Sequence, residues 1–98
     1  MWSEPRPRVV IAGEALIDLI IGQDGSVTPA AGGGQNNAAR ALARLVGDVE
    51  FLGRLSDDWF GKLLRAKLDV DGVGTSLVVD TADPTSLVLA EIDEAGVA

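Results

Sequence analysis

The sequence predicts an α/β fold, a parallel sheet flanked by helices, and three observations carry that reading. Apolar runs of strand length recur along the chain, at residues 8–13, 49–55 and 76–79. Between them stand two stretches whose apolar residues repeat at helical spacing, one beginning near Asn37 and one near Trp59. Strands alternating with helices in this way build parallel sheets. The third observation is scale: 98 residues at 47% apolar content supply one modest core, since a chain of this size buries about two-thirds of its unfolded surface.

The first run, Arg8-Val9-Val10-Ile11-Ala12-Gly13, suits a strand buried on both faces, and Gly13 ends it. Residues 16–21 form a second strand. Side chains alternate across a strand, so Leu16, Asp18 and Ile20 share one face and Ile17, Leu19 and Ile21 the other. A carboxylate between Leu16 and Ile20 is costly to bury without a partner. Asp18 therefore either points to solvent or is held at a site for hydroxyl donors. Gln23-Asp24-Gly25-Ser26 reads as a hairpin turn, and residues 27–30 return from it.

Ala31-Gly32-Gly33-Gly34-Gln35-Asn36-Asn37 then feeds a helix. Glycines let bare backbone approach a neighbour closely, and the first turn of a helix carries unpaired N–H groups and partial positive charge. Asn36 and Asn37 fall in the N-cap region, where an amide caps the helix or reaches a ligand. A flexible loop with an ordinary cap and a ligand-binding mouth are equally open at this point. Ala38, Ala41, Leu42 and Leu45 form the stripe expected to pack on a sheet, with Arg40 and Arg44 on a solvated face.

Residues 49–55 form the next strand, and Ser56-Asp57-Asp58 offers capping oxygens to a second helix. Phe60, Leu63, Leu64 and Leu68 make its buried stripe, Trp59 is a rim aromatic, and Gly72 fits the helix C-terminus. Residues 76–79 and 84–92 read as further strands, and Asp93-Glu94-Ala95-Gly96 as a hairpin turn with only two residues after it. A hairpin needs a partner strand of several residues, so the expectation is an incomplete domain, the beginning or a fragment of a longer protein.

A net charge of −7 repels nucleic-acid phosphates but is compatible with a neutral small molecule. The absence of Cys and His excludes disulfides, thiol nucleophiles, histidine bases and the usual zinc sites, and no metal site is expected. Residues 1–8 do not read as a signal peptide. Residues 9–21 carry Glu14 and Asp18 and are too short to span a bilayer. A cytoplasmic protein without membrane or nucleic-acid partners is the expectation. A dinucleotide-binding reading fails, because Gly13-Glu14-Ala15-Leu16-Ile17-Asp18 lacks the second and third glycines of the pyrophosphate turn.

From Arg8 onward the chain resembles the N-terminal part of ribokinase-like (PfkB family) carbohydrate kinases. The motifs that carry the resemblance stand in order: residues 9–18, Gly32-Gly33 with Asn37, and Ala43-Arg44-Leu45; then residues 51–61 (Phe51-Leu52-Gly53-Arg54-Leu55-Ser56-Asp57-Asp58-Trp59-Phe60-Gly61) and Pro84-Thr85-Ser86-Leu87. Three positions depart from the family pattern. Gln35 replaces a small residue or proline in the substrate loop, and Val46 and Ser56 replace glycines.

The resemblance implies the N-terminal portion of a ribokinase-like domain, with a core at about 8–13 and 36–80 and a small β-sheet lid at about 14–30 and 84–98. It implies that Asp18 accepts hydrogen bonds from sugar hydroxyls, that Gly32 and Gly33 let backbone approach the sugar, and that Asn37 reads another hydroxyl. Val88 and Ala90 would add apolar wall if their strand face meets the sugar. A full-length parent would transfer the γ-phosphoryl of Mg-ATP to a hydroxyl of a small-molecule sugar. The family's catalytic Gly-x-Gly-Asp segment does not occur after residue 37. No catalytic residue is therefore assigned in this chain, which is expected to be inactive alone and to bind no cofactor tightly. Exposed strand edges make a homo-oligomer plausible. The alternative is a non-catalytic sugar-binding or oligomerisation module.

Overall fold

The computed structural model describes residues 8–93. The elements are β1 (Val9–Ala12), β2 (Leu16–Ile21), β3 (Val27–Gly32), α1 (Gly34–Val46), β4 (Val49–Leu52), β5 (Arg54–Ser56), α2 (Trp59–Val70), β6 (Val79–Thr81) and β7 (Leu87–Glu91). β1 and β4 pair in parallel, Val9 opposite Val49 and Ala12 opposite Leu52. β5 and β6 pair in parallel around α2. The third sheet has the order β3-β2-β7, with β2 antiparallel to β3 and parallel to β7. The fold is α/β with parallel pairing and two helices, as the sequence predicts.

The core lies where the helices meet the inward faces of these strands. Phe51, Ile17, Leu55, Leu64 and Leu68 are its largest fully buried apolar side chains, each stabilising the fold by about 1.5–3 kcal/mol relative to exposure. Ile17 belongs to the face of β2 opposite Asp18, so alternation along that strand separates core from site. The other face of β1 and β4 is open, with Val10, Ala12 and Leu52 exposed.

Several boundaries differ from the sequence expectation. The run at 49–55 is two strands, broken at Gly53, where a side chain would collide with the Gly13 carbonyl and the Phe51 ring. The strand expected at 76–79 lies instead at Val79–Thr81. Its pairing with β5 fixes it there, Val79 opposite Arg54. Of the turn expected at 93–96, residues 94–96 lie outside the described residues.

α1 presents a different face from the expected one. Its buried residues are Asn36, Ala39 and Ala43, while Ala38 and Ala41 are exposed and Leu45 is 82% exposed. Of the expected stripe, Leu42 is partly buried and packs against the core, while the small side chains at 39 and 43 form the fully inward face. Arg40 and Arg44 are not a free solvated face. Both pair with Asp71 just past the end of α2, Arg40 through Nε and Arg44 through Nη2 at 2.6 Å. These guanidinium groups, Arg40 first, hold the Asp71 carboxyl below its usual range.

Asn36 is fully buried, and neither its Oδ1 nor its Nδ2 has a hydrogen-bond partner among the described residues. An unsatisfied buried amide costs about 1–3 kcal/mol, and alanine is the better helix former. Asn36→Ala is therefore expected to raise stability by about 1 kcal/mol after the small loss of packing. Urea denaturation of both chains checks this.

Candidate functional site

The site assembles where β2, β3 and the mouth of α1 converge. β2 runs Leu16-Ile17-Asp18-Leu19-Ile20-Ile21, and its register on β3 places Leu16 opposite Gly32 and Asp18 opposite Ala30. Asp18 and Gly32 thus share one face as diagonal neighbours. A Cβ at Gly32 would lie 2.5 Å from Asp18 Oδ2. The missing side chain at 32 is the space that the half-buried carboxylate occupies.

Gly33 follows as the N-cap of α1, at φ 94°, a conformation that favours glycine. A side chain there would also meet the Glu14 carbonyl oxygen at 2.7 Å. The Gly33 carbonyl accepts the Asn37 N–H at 3.0 Å, the first turn of the helix. The structure therefore brings Asp18, Gly32 and Gly33 together, with the exposed Asn37 joined to them through the backbone. Neither Asn36 nor Asn37 caps α1, because the N-cap is Gly33 and makes no side-chain cap.

β7 completes the surface on the other side of β2. Asp18 pairs with Val88 and Ile20 with Ala90, so Val88 and Ala90 lie on the Asp18 face, with Ala30 and Thr28 from β3. The carboxylate stands in a mostly apolar neighbourhood. Such a surface accepts hydrogen bonds from hydroxyls and packs against C–H groups.

A separate cleft of about 410 Å³ is lined by Gly13, Glu14, Arg54, Thr81, Asp83 and Thr85, among others. None of Asp18, Gly32, Gly33 or Asn37 lines it. Arg54, its cation, donates to Thr81 Oγ1 at 3.1 Å and to Asp83 Oδ2 at 3.3 Å. The cleft also borders the linkage between α2 and β7, centred on Asp58. That residue caps α2 as the sequence predicts, accepting the Gly61 N–H at 2.7 Å. It also accepts the Thr85 N–H at 2.8 Å and the Thr85 hydroxyl at 2.6 Å. These bonds, foremost those from Thr85, hold the Asp58 carboxyl at about 2.

A carboxyl whose folded-state value is depressed contributes stability above its unfolded value of about 3.9 and loses it as pH falls through the folded value. The Asp58 contribution is thus expected to be constant above about pH 5 and lost between about pH 4 and pH 2. Asp58→Asn should flatten that part of the profile. Chemical denaturation at stepped pH measures it.

With this geometry in place, the comparisons with known proteins are specific. The pfkB family carbohydrate kinase profile matches residues 6–97. The chain belongs to that family. A fructokinase of Vibrio alginolyticus is 39% identical over 90 residues, covering 91% of this chain and 29% of that protein. A fructokinase of Escherichia coli gives the same figures. Among solved structures, fructokinase from Xylella fastidiosa superposes with TM-score 0.80 at 33% identity, covering 93% of this chain and 31% of that one. Aminoimidazole riboside kinase from Salmonella enterica, complexed with aminoimidazole riboside and an ATP analog, superposes with TM-score 0.77 at 32% identity, covering 85% and 28%. The chain thus spans less than a third of the length of these carbohydrate kinases.

The X. fastidiosa fructokinase has also been solved with bound ATP. At the mouth of α1, the Asp18 carboxylate lies against Gly32, so the group bordering that helix N-terminus is an anion and not a phosphate-binding cation. Among the described residues no group of three or more acidic side chains is placed to hold a metal ion. No described helix is long and apolar enough to cross a membrane.

Proposed function

We propose that this chain forms the sugar-binding portion of an ATP-dependent carbohydrate kinase of the fructokinase or ribokinase type. The parent protein would transfer the γ-phosphoryl of Mg-ATP to a sugar hydroxyl, and the β3-β2-β7 sheet would act as a lid over the sugar. The observation that carries the reading is the Asp18 carboxylate seated on Gly32 beside the α1 mouth. Asp18 accepts from sugar hydroxyls, Gly32 and Gly33 give the sugar close access to backbone, and Asn37 reads a further hydroxyl. Convergent polar groups of this kind reject a substrate lacking the matching hydroxyl. Closure of the lid would keep water from the phosphoryl group.

The 98 residues alone turn over no ATP in this reading. Phosphoryl transfer needs positioned charge stabilisation around the phosphates and a base near the acceptor hydroxyl, and the chain contains no Gly-x-Gly-Asp segment after residue 37. Coupled assay of ADP release, with and without a panel of ketoses and aldoses, tests this. Sugar-dependent turnover by the purified chain would overturn it, and calorimetry with the same panel tests binding.

A second reading, self-association of a soluble cytoplasmic module, is favoured by one feature. Among the described residues β7 is an edge strand of its sheet, and it exposes Leu87, Val88 and Leu89, the last at 70%. Sedimentation velocity is expected to find a dimer that Leu89→Lys converts to monomer.

A further inference from the structure

The segment between β6 and β7 carries the chain from the β5-β6 pair to the β3-β2-β7 sheet, and one carboxylate fastens it midway. Asp58 sits at the N-terminus of α2, whose inward side chains Leu64 and Leu68 are fully buried. Its Oδ1 accepts from Gly61 N and from the Thr85 hydroxyl, and its Oδ2 accepts from Thr85 N. Thr85 stands two residues before β7. The next residue, Ser86, accepts the Ile17 N–H at 3.0 Å through its carbonyl, and from there β7 runs in register along β2, with Val88 opposite Asp18. Hydrogen bonds at Thr85 and Ser86, joined by the peptide bond between them, link the packed end of α2 to the strand that bears Asp18.

We propose that Asp58 is a positioning residue of the lid: by clasping Thr85 it sets where β7 docks on β2 and so where the Asp18 carboxylate stands over the α1 mouth. A helix cap requires only the bond to Gly61. The two bonds to Thr85 are surplus to capping and join residues 27 apart in sequence. Hydrogen bonds to an ionised acceptor are the stronger kind, and here both fall on the one residue that leads into the lid strand. The inference rests on the sugar-site reading above for its functional meaning, though the coupling itself is structural.

Two substitutions separate the clasp from the cap. In Asp58→Asn the remaining oxygen still caps Gly61, while an NH₂ faces the Thr85 N–H, donor against donor. Thr85→Val removes the hydroxyl alone, and Thr85→Ser restores it. Hydrogen exchange of the full 98-residue chain reads the outcome. In Asp58→Asn the amides of Leu87–Glu91 and of Ile17 are expected to exchange about tenfold faster, with those of α2 unchanged within about twofold. Thr85→Val should move the same amides in the same direction, and Thr85→Ser should match the parent chain. The proposal is overturned if β7 protection is unchanged in Asp58→Asn, if α2 loses protection in equal measure, or if β7 is unprotected in the parent chain. Titration of the same proteins with D-fructose keeps the two ideas apart. A parent chain that gives no D-fructose response defeats the sugar-site reading, while the exchange pattern still decides the clasp.

Discussion

Gly61→Ala is expected to destabilise the chain by about 3 kcal/mol or more, the larger end of what overpacking costs, although alanine is the better helix former by about 1 kcal/mol. Gly61 lies in the first turn of α2 and is buried. A Cβ at that position would stand 1.9 Å from the Ser56 carbonyl oxygen and 2.6 Å from its carbon. Both are backbone atoms, so no side-chain rotation relieves the collision. Either β5 or the start of α2 must move. Movement of α2 would also break the Gly61 N–H bond to Asp58 that holds the cap. The midpoint of thermal unfolding should fall by about 12 °C or more, since 1 kcal/mol corresponds to roughly 4–8 °C for a chain of this size. A rise, as helix propensity alone would give, would show that β5 and α2 are not packed as described.

Asp18→Ala should act in the opposite sense, removing binding while sparing the fold. The carboxylate is half-buried on the β2 face away from Ile17, and in the proposed reading it accepts hydrogen bonds from sugar hydroxyls. Losing hydrogen bonds to a charged acceptor costs about 1.5–3 kcal/mol each, so sugar affinity should drop by at least about tenfold and a weak ligand should become undetectable by calorimetry. Stability should be unchanged or slightly higher, because alanine removes a charge from an apolar strand. Binding that survives the substitution, or unfolding that accompanies it, would place the polar recognition elsewhere.

These two residues also mark what was legible in the sequence. The α/β order follows from apolar runs alternating with helical spacing, and that pattern survives because each run is buried against a neighbour. Alternation along residues 16–21 separates Asp18 from Ile17 correctly, since the period of a strand is fixed by backbone geometry. The helix face was harder. Leu42 packs against the core but Leu45 does not, and Asn36, Ala39 and Ala43 take the fully buried side, because close approach to a sheet rewards small residues over large ones. A buried amide at 36 is not visible in any hydrophobic pattern. Spacing 36, 39, 43 was the only available signal, and it consists of one Asn and two Ala.

The second role of Asp58 was hidden for a different reason. Capping is local and can be read from Ser56-Asp57-Asp58 before a helix. The contact with Thr85 depends on tertiary placement and leaves no mark on either segment. The same holds for Arg40 and Arg44, whose partner Asp71 lies beyond the far end of α2. The cleft at Arg54 is likewise a product of how β5, β6 and the crossover to β7 are assembled.

The central claim is that a sugar is recognised at the Asp18 face beside the mouth of α1. Amide chemical shifts of the labelled chain during titration with D-fructose test it most directly. The account predicts saturable shifts concentrated at Asp18, Gly32, Gly33 and Asn37, absent from Asp18→Ala. Shifts confined to Glu14, Arg54 and Thr81 around the separate cleft, or no shifts at millimolar sugar, would contradict it.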